Sequence, residues 1–222
     1  MNKYHSLLRL LQLSSPSLPI GAYAYSQGVE SAVHSNLVVD DKTALDWLKA
    51  VLSDGLAVND LALIVHAYES WKQNQLDEIK ALSQLSLAIR ETAELKQEDI
   101  HLAKALLRLS EPLNVPFPAE LKKDASYSIV YAQFTQFWDI PLQDALIAFA
   151  WSWLENQVAA MIKLVPLGQT QGQKLMLAMD EFILAAIAKS QTILVNEIGS
   201  SLPNLAILSS QHEIQYSRLF RS

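Results

Sequence analysis

Apolar residues recur at helical spacing along almost the whole chain, and no alternating stretch of useful length interrupts them, so the sequence has to fold as packed helices. Leu45, Leu48, Val51 and Leu52 fall at i, i+3, i+6 and i+7 behind "DDKTA", which supplies an Asp N-cap and early negative charge. A second helix is expected to restart at Asn59 or Asp60 in "NDLALIVHAYESWKQ". The run from Leu76 to Leu109 continues as one or two more, with Leu82, Leu85 and Ile89 on one face and Leu102, Leu106 and Leu109 on a later one. Half of the 222 residues are hydrophobic, enough for a sizeable core. The expected fold is all-α, a single-domain helical bundle over residues 1–222 with no significant sheet.

Proline marks the joints. "SEPLNVPFP", residues 110–118, holds three prolines and reads as a connection between two helical halves, because apolar faces wait for partners on both sides. "SYSIVYAQFTQFW" reads as a helix, with strand a live alternative for its first seven residues. Pro141 opens an apolar helix that should stop at Val165, since the residue before Pro166 is biased away from helix. Thr170 and Gln173 have capping-box spacing and predict the next start at Gln171. Gly168 and Gly172 between these helices permit a sharp turn and close helix approach, or form a loop presenting Gln169, Thr170 and Gln171 to a partner. A phosphate cradle does not fit, because Gly172 is followed by Gln-Lys-Leu rather than Lys-Ser/Thr.

Several functions are disfavoured. Seventeen Lys+Arg against twenty-three Asp+Glu give a net charge of −6 with no basic block, which argues against a nucleic-acid surface. The chain has no cysteine, hence no disulfide, thiolate metal site or thiol nucleophile, a composition that fits the cytosol. Residues 145–165 are long enough to cross a bilayer, but Glu155, Asn156 and Gln157 sit at the centre, so a buried helix of a soluble protein is expected and no membrane partner. The leucine-rich start mimics a signal peptide, yet Arg9 interrupts it and two prolines precede any cleavage point. The carboxylates scatter as solvated charges on helix faces normally do, and no catalytic constellation or GxSxG stands out. His66 with Glu69, and His101 with Glu98, read as surface pairs; metal binding would need histidines brought together by folding or a dimer axis.

Two segments look unlike core. "SPSLPIGAYAYSQGVE", residues 15–30, is aromatic and rich in conformationally fixed residues, and suits either an interface loop or a buried connection. In "SSQHEIQYSRLFRS", Ser210 and Glu213 have capping-box spacing, which predicts a short helix with Tyr216, Leu219 and Phe220 on one face and Arg218 and Arg221 flanking it. That face would bind a partner or dock on its own domain.

These two segments, together with "RETAEL" and "WSWLENQVAAMIKLVPLGQTQGQ", resemble in order the UreF family of urease accessory proteins, from residue 15 to the last residue. The resemblance implies an all-helical, non-enzymatic, cytoplasmic protein that dimerises. It implies action with a UreD/UreH-type accessory protein and a UreG-type GTPase, organising that GTPase, influencing its hydrolysis of GTP and delivering nickel into the urease apoprotein. No cofactor, catalytic residue or metal ligand is assigned to the chain. By resemblance, Lys163, Pro166, Gly168, Gln169 and Gly172 belong to the GTPase-facing region. Pro19, Gly21, Tyr25, Ser26, Gly28, Glu30, His212, Glu213, Tyr216, Arg218, Leu219, Phe220 and Arg221 belong to the UreD/UreH-facing parts. A tail that orders on that partner would fit an uncovered apolar face. Ala103 stands where many relatives have glycine, and Ala24 and Gln27 where Ser and His are frequent. Losing that histidine weakens a nickel-ligand role for the N-terminal loop. The alternative is a nickel-binding chaperone that holds the metal itself at a dimer interface.

Overall fold

The computed structural model describes residues 3–222, and among them there is helix and turn but no strand. The chain runs through α1 (Lys3–Leu13), a 3-10 turn at Ala22–Ala24, α2 (Val29–His34) and α3 (Asp41–Ala50). Asp40 starts α3 as expected, its carboxylate accepting from Thr43 N at 2.8 Å. The predicted restart at Asn59 or Asp60 is wrong. Residues Val51–Leu61 form a π-helical stretch that joins α3 to α4 (Ala62–Lys72) without a break. Neither side chain is free to cap: Asn59 binds the backbone at Gly199 and Ser200, and Asp60 is held by Arg90.

The long run divides into α5 (Leu76–Ala88) and α6 (Ala93–Ser110). Thr92 caps α6 by accepting from Leu95 N. After the proline-rich connection comes α7 (Tyr127–Phe137), which resolves the helix-or-strand ambiguity. Its residues from Ser128 to Thr135 are all buried, because α4 and α6 pack on it and α5 and α8 add further contacts. Its start is fixed from outside, Asp99 accepting from Tyr127 N at 2.7 Å, where a carboxylate also suits the helix dipole. Trp71 Nε1 donates to Ile129 O and Tyr131 Oη to Ala145 O, so these two buried aromatic side chains keep their polar ends satisfied. One contiguous apolar cluster runs from Leu13 through Phe134 to Leu208.

Pro141 immediately precedes α8 (Leu142–Leu164), and Val165 is extended, the stop expected before Pro166. The following helix, α9 (Gln169–Ala178), starts two residues earlier than expected. Its reciprocal contact is Gly168 N donating to Gln171 Oε1 at 3.1 Å, not a Thr170–Gln173 box. The remaining helices are α10 (Asp180–Ser190) and α11 (Pro203–Glu213). Gly168 has φ −76°, which any residue adopts, so glycine is not needed there for the turn. Gly172 differs: a Cβ would lie 2.5 Å from Ile162 Cδ1 and 3.2 Å from Val158 Cγ1, so its bare backbone lets α9 close on α8. Gly172→Val should therefore cost about 1–3 kcal/mol through overpacking. Urea unfolding followed by circular dichroism should show the lower midpoint with the helical signal retained.

Candidate functional site

Two of the polar trio in the middle of α8 bind the N-terminal loop. Asn156 Nδ2 donates to Tyr25 O at 2.9 Å, and the fully buried Gln157 donates to Ser26 O at 3.2 Å. Gln27 takes φ 51° and is clamped from both sides, donating to Glu98 Oε1 at 2.7 Å and accepting from Trp153 Nε1 at 2.9 Å. Gly28 follows at φ 85°, and a Cβ there would meet Leu205 of α11 at 2.6 Å. The loop is thus a built connection, and the alternative of burial against the helices holds for Tyr25, Ser26, Gly28 and Glu30; Gly21 is half-buried and Pro19 remains exposed.

Onto this loop folds the tail. The helix expected from Ser210 is instead the end of α11, which Pro203 opens in its first turn, and residues 214–222 are not helical. The physical reason is Glu30. Its carboxylate accepts from Leu219 N at 2.7 Å and Phe220 N at 2.8 Å, taking the amides that a helix would have used. Farther along, Arg221 N donates to Ala24 O, and Ser26 N and Oγ both donate to Ser222 O. The supposed common face is divided: Phe220 is buried while Tyr216 and Leu219 stand exposed. Glu213, Arg218 and Arg221 are also exposed. Lys163 Nζ lies 5.5 Å from the Phe220 ring centroid, which brings one residue expected on the GTPase side against the tail. Pro166, Gly168 and Gln169 are exposed on the α8–α9 turn, whereas Gly172 is buried in packing.

The "RETAEL" segment forms the socket beneath. Arg90 reaches Asp60 Oδ1 at 2.5 Å and Asp99 Oδ2 at 2.6 Å, and Ser128 donates to the same Asp60 oxygen. Burial alone would raise the Asp60 carboxyl, but the charge and hydrogen bonds of Arg90 hold it below its ordinary value. Glu91 accepts from Ser201 Oγ, and Thr92 Oγ1 meets Ser209 Oγ at 2.7 Å. Glu94 takes Arg218 Nη1 at 2.6 Å and His212 Nδ1 at 2.7 Å, while His212 Nε2 lies 3.2 Å from Glu30. Glu98 accepts from Ser222 Oγ at 2.7 Å; burial pushes its carboxyl up to about 7 despite the donors Gln27 and Ser222.

A cavity of about 360 Å³ opens beside this socket, lined by Leu18, Ile20 and Trp153 on its apolar side and by Glu98 and the Arg90–Asp60–Asp99 cluster on its polar side. Among the described residues no three His, Asp or Glu side chains converge as a metal cage. The histidine pairs expected from sequence do not form: His66 binds Ile193 O and His101 the Tyr25 hydroxyl, while Glu69 pairs with Lys72. Nor are all carboxylates solvated, since Glu30, Glu98 and Asp99 are buried.

The UreF family model matches residues 38–180. The "Urease accessory protein UreF" of Alkalilimnicola ehrlichii is 44% identical over 216 residues, covering 96% of this chain and 95% of that one. The protein of that name from Teredinibacter turnerae is 44% identical over 219 residues, covering 98% and 99%, and that of Marinomonas sp. 43% identical over 216 residues, covering 97% and 94%. The chain belongs to the UreF family. The family match spans α3 to the start of α10, so it takes in the "RETAEL" socket and the α8–α9 turn. The loop before it and the tail after it lie outside that match.

Sequence reasoning missed Asp60, Arg90, Glu94, Glu98 and Asp99 as site residues of this UreF chain. A signal was there: Glu98 and Asp99 lie four and three residues before Leu102 on the apolar stripe of α6, where a charge needs a partner. Glu98 also fixes a pH dependence. Its folded-state value is raised from 4.5 to about 7, so its ionisation opposes folding. The contribution of Glu98 to stability should be intact below pH 4.5, fall by up to about 3 kcal/mol as pH rises toward about 7, and stay level beyond. Glu98→Gln should flatten that decline in urea midpoints measured across the range.

Proposed function

We propose that the protein is a non-enzymatic scaffold in the cytoplasm that is required for nickel insertion into the urease apoprotein. It acts with a UreD/UreH-type accessory protein and a UreG-type GTPase whose activity it modulates. The observation that carries this reading is the seam itself: the loop, the "RETAEL" socket and the tail meet in one place through backbone and carboxylate contacts. Such an arrangement builds a surface rather than a reaction centre. Tyr216 and Leu219 project from it fully or largely exposed, an aromatic and aliphatic pair of the sort that anchors interfaces. Lys163 in the last turn of α8, with Pro166, Gly168 and Gln169 after it, forms the neighbouring exposed surface, which suits the GTPase.

A homodimer is supported by α1 and α8, which pack together and leave Leu7, Leu8, Leu11, Ile147 and Trp151 exposed. Treating residues 1–222 as one domain accords with the contiguous core.

Urease purified from cells lacking only this gene should be nickel-poor and should fill when the gene is restored, as read by elemental analysis; full nickel in both cases would refute a delivery role. The double variant Tyr216→Ala, Leu219→Asp changes side chains that stand clear of the body. It should lose pull-down of the UreD/UreH-type partner with an unchanged circular-dichroism spectrum, and undiminished pull-down would remove the tail from that interface.

A further inference from the structure

His212 is fully buried, and both of its ring nitrogens face acids: Nδ1 is 2.7 Å from Glu94 Oε2 and Nε2 is 3.2 Å from Glu30 Oε2. A neutral imidazole has one N–H and one lone pair, so only the doubly protonated ring can donate to both carboxylates. The two acids are not equivalent. Glu94, on α6, also receives Arg218 Nη1 at 2.6 Å, and the Glu213 carboxylate turns back to accept from Glu94 N. Glu30, on α2, receives the amides of Leu219 and Phe220 and the side chain of Gln215, but among the described residues no cation other than His212 is bonded to it. Around the same tail, Glu98 on α6 holds Ser222, Lys163 on α8 covers the Phe220 ring, and Tyr25 binds His101.

We propose that His212 is a proton-controlled pin for the tail, closing residues 214–222 over α2 and α6 while both ring nitrogens carry protons and releasing them when one is lost. The proton leaves the longer contact, Nε2, and the Nδ1–H bond to Glu94 stays. Glu30 is then a buried carboxylate facing a lone pair, and the water that would relieve it competes with the Leu219 and Phe220 amides for the same oxygens. Opening would uncover Ser26 and Phe220 beside the exposed Tyr216 and Leu219. Only the link from that opening to partner binding rests on the function proposed above; the pin itself is a property of the chain alone.

The test uses the full chain without partners. Nitrogen-15 shifts of His212 report how many ring nitrogens are protonated, and hydrogen-exchange protection factors of the Leu219 and Phe220 amides report tail closure, both followed against pH. The expected result is a fall of about tenfold or more in protection that tracks loss of the ring proton, the size of a charge-assisted hydrogen bond. In His212→Gln, which cannot titrate, that step should vanish; in Glu98→Gln it should persist. The proposal is overturned by a ring that titrates while protection stays constant. It is equally overturned by a ring that keeps both protons until the chain unfolds, or by a step that survives in His212→Gln and disappears in Glu98→Gln. Because the first comparison needs no variant, misfolding of His212→Gln would leave the proposal testable, and a lost pull-down with an intact pin, or the reverse, separates it from the partner reading.

Discussion

Arg90 holds the molecule's interior together. It sits between α5 and α6, and its guanidinium reaches Asp60 in the π-helical stretch and Asp99 in α6, which in turn anchors the first amide of α7. Charges taken this far out of water are tolerable only when every donor and acceptor is matched. Here Ser86, Ser128 and the Tyr127 amide complete the set. Once this point is fixed, α6 has a defined angle and depth, and the three acids along its start, Glu94, Glu98 and Asp99, face inward toward three different elements. The seam between loop and tail is therefore a consequence of a buried ionic centre that touches neither the exposed tail residues nor the α8–α9 turn.

The same centre explains the irregular helix before α4. An ordinary α-helix from Asp41 to Lys72 would carry Asp60 around to another bearing, since each residue turns the side chain by a fixed angle. Widening the turns over Val51–Leu61 changes that bearing without ending the rod, and Asp60 meets Arg90 while Asn59 meets the Gly199 and Ser200 backbone. A π-helical run of this kind is uncommon and gathers at functional places.

How much of this could be read from the amino acids varies with the distance over which each feature is decided. Helix content, the Asp40 cap, the Val165 stop and the close approach at Gly172's helix pair are local, and spacing or a single proline announces them. The register of the next helix start is less secure, because Gln171 rather than Thr170 supplied the cap at Gly168. The π-helical join was unreadable: Asn59 and Asp60 look like caps, and only partners 140 and 30 residues away divert them. The tail was misread for the same reason. Its helical spacing was real, but Glu30, far back in the chain, outcompeted the helix for its amides. Partner sidedness is blurred as well, since Lys163, expected to face the GTPase, and Phe220, expected to face the UreD/UreH-type partner, share one contact.

The contact between Ser26 and Ser222 joins residues 196 apart in sequence. Loops of that span close late, after the local helices and the core that they frame have formed. During synthesis the helical body can assemble while the seam has only one of its two sides. The surface thus has a time as well as a place: it comes into being only once residues 219–222 have joined the folded body, so a partner that recognised the finished seam would also recognise that the helices before it have been made and folded.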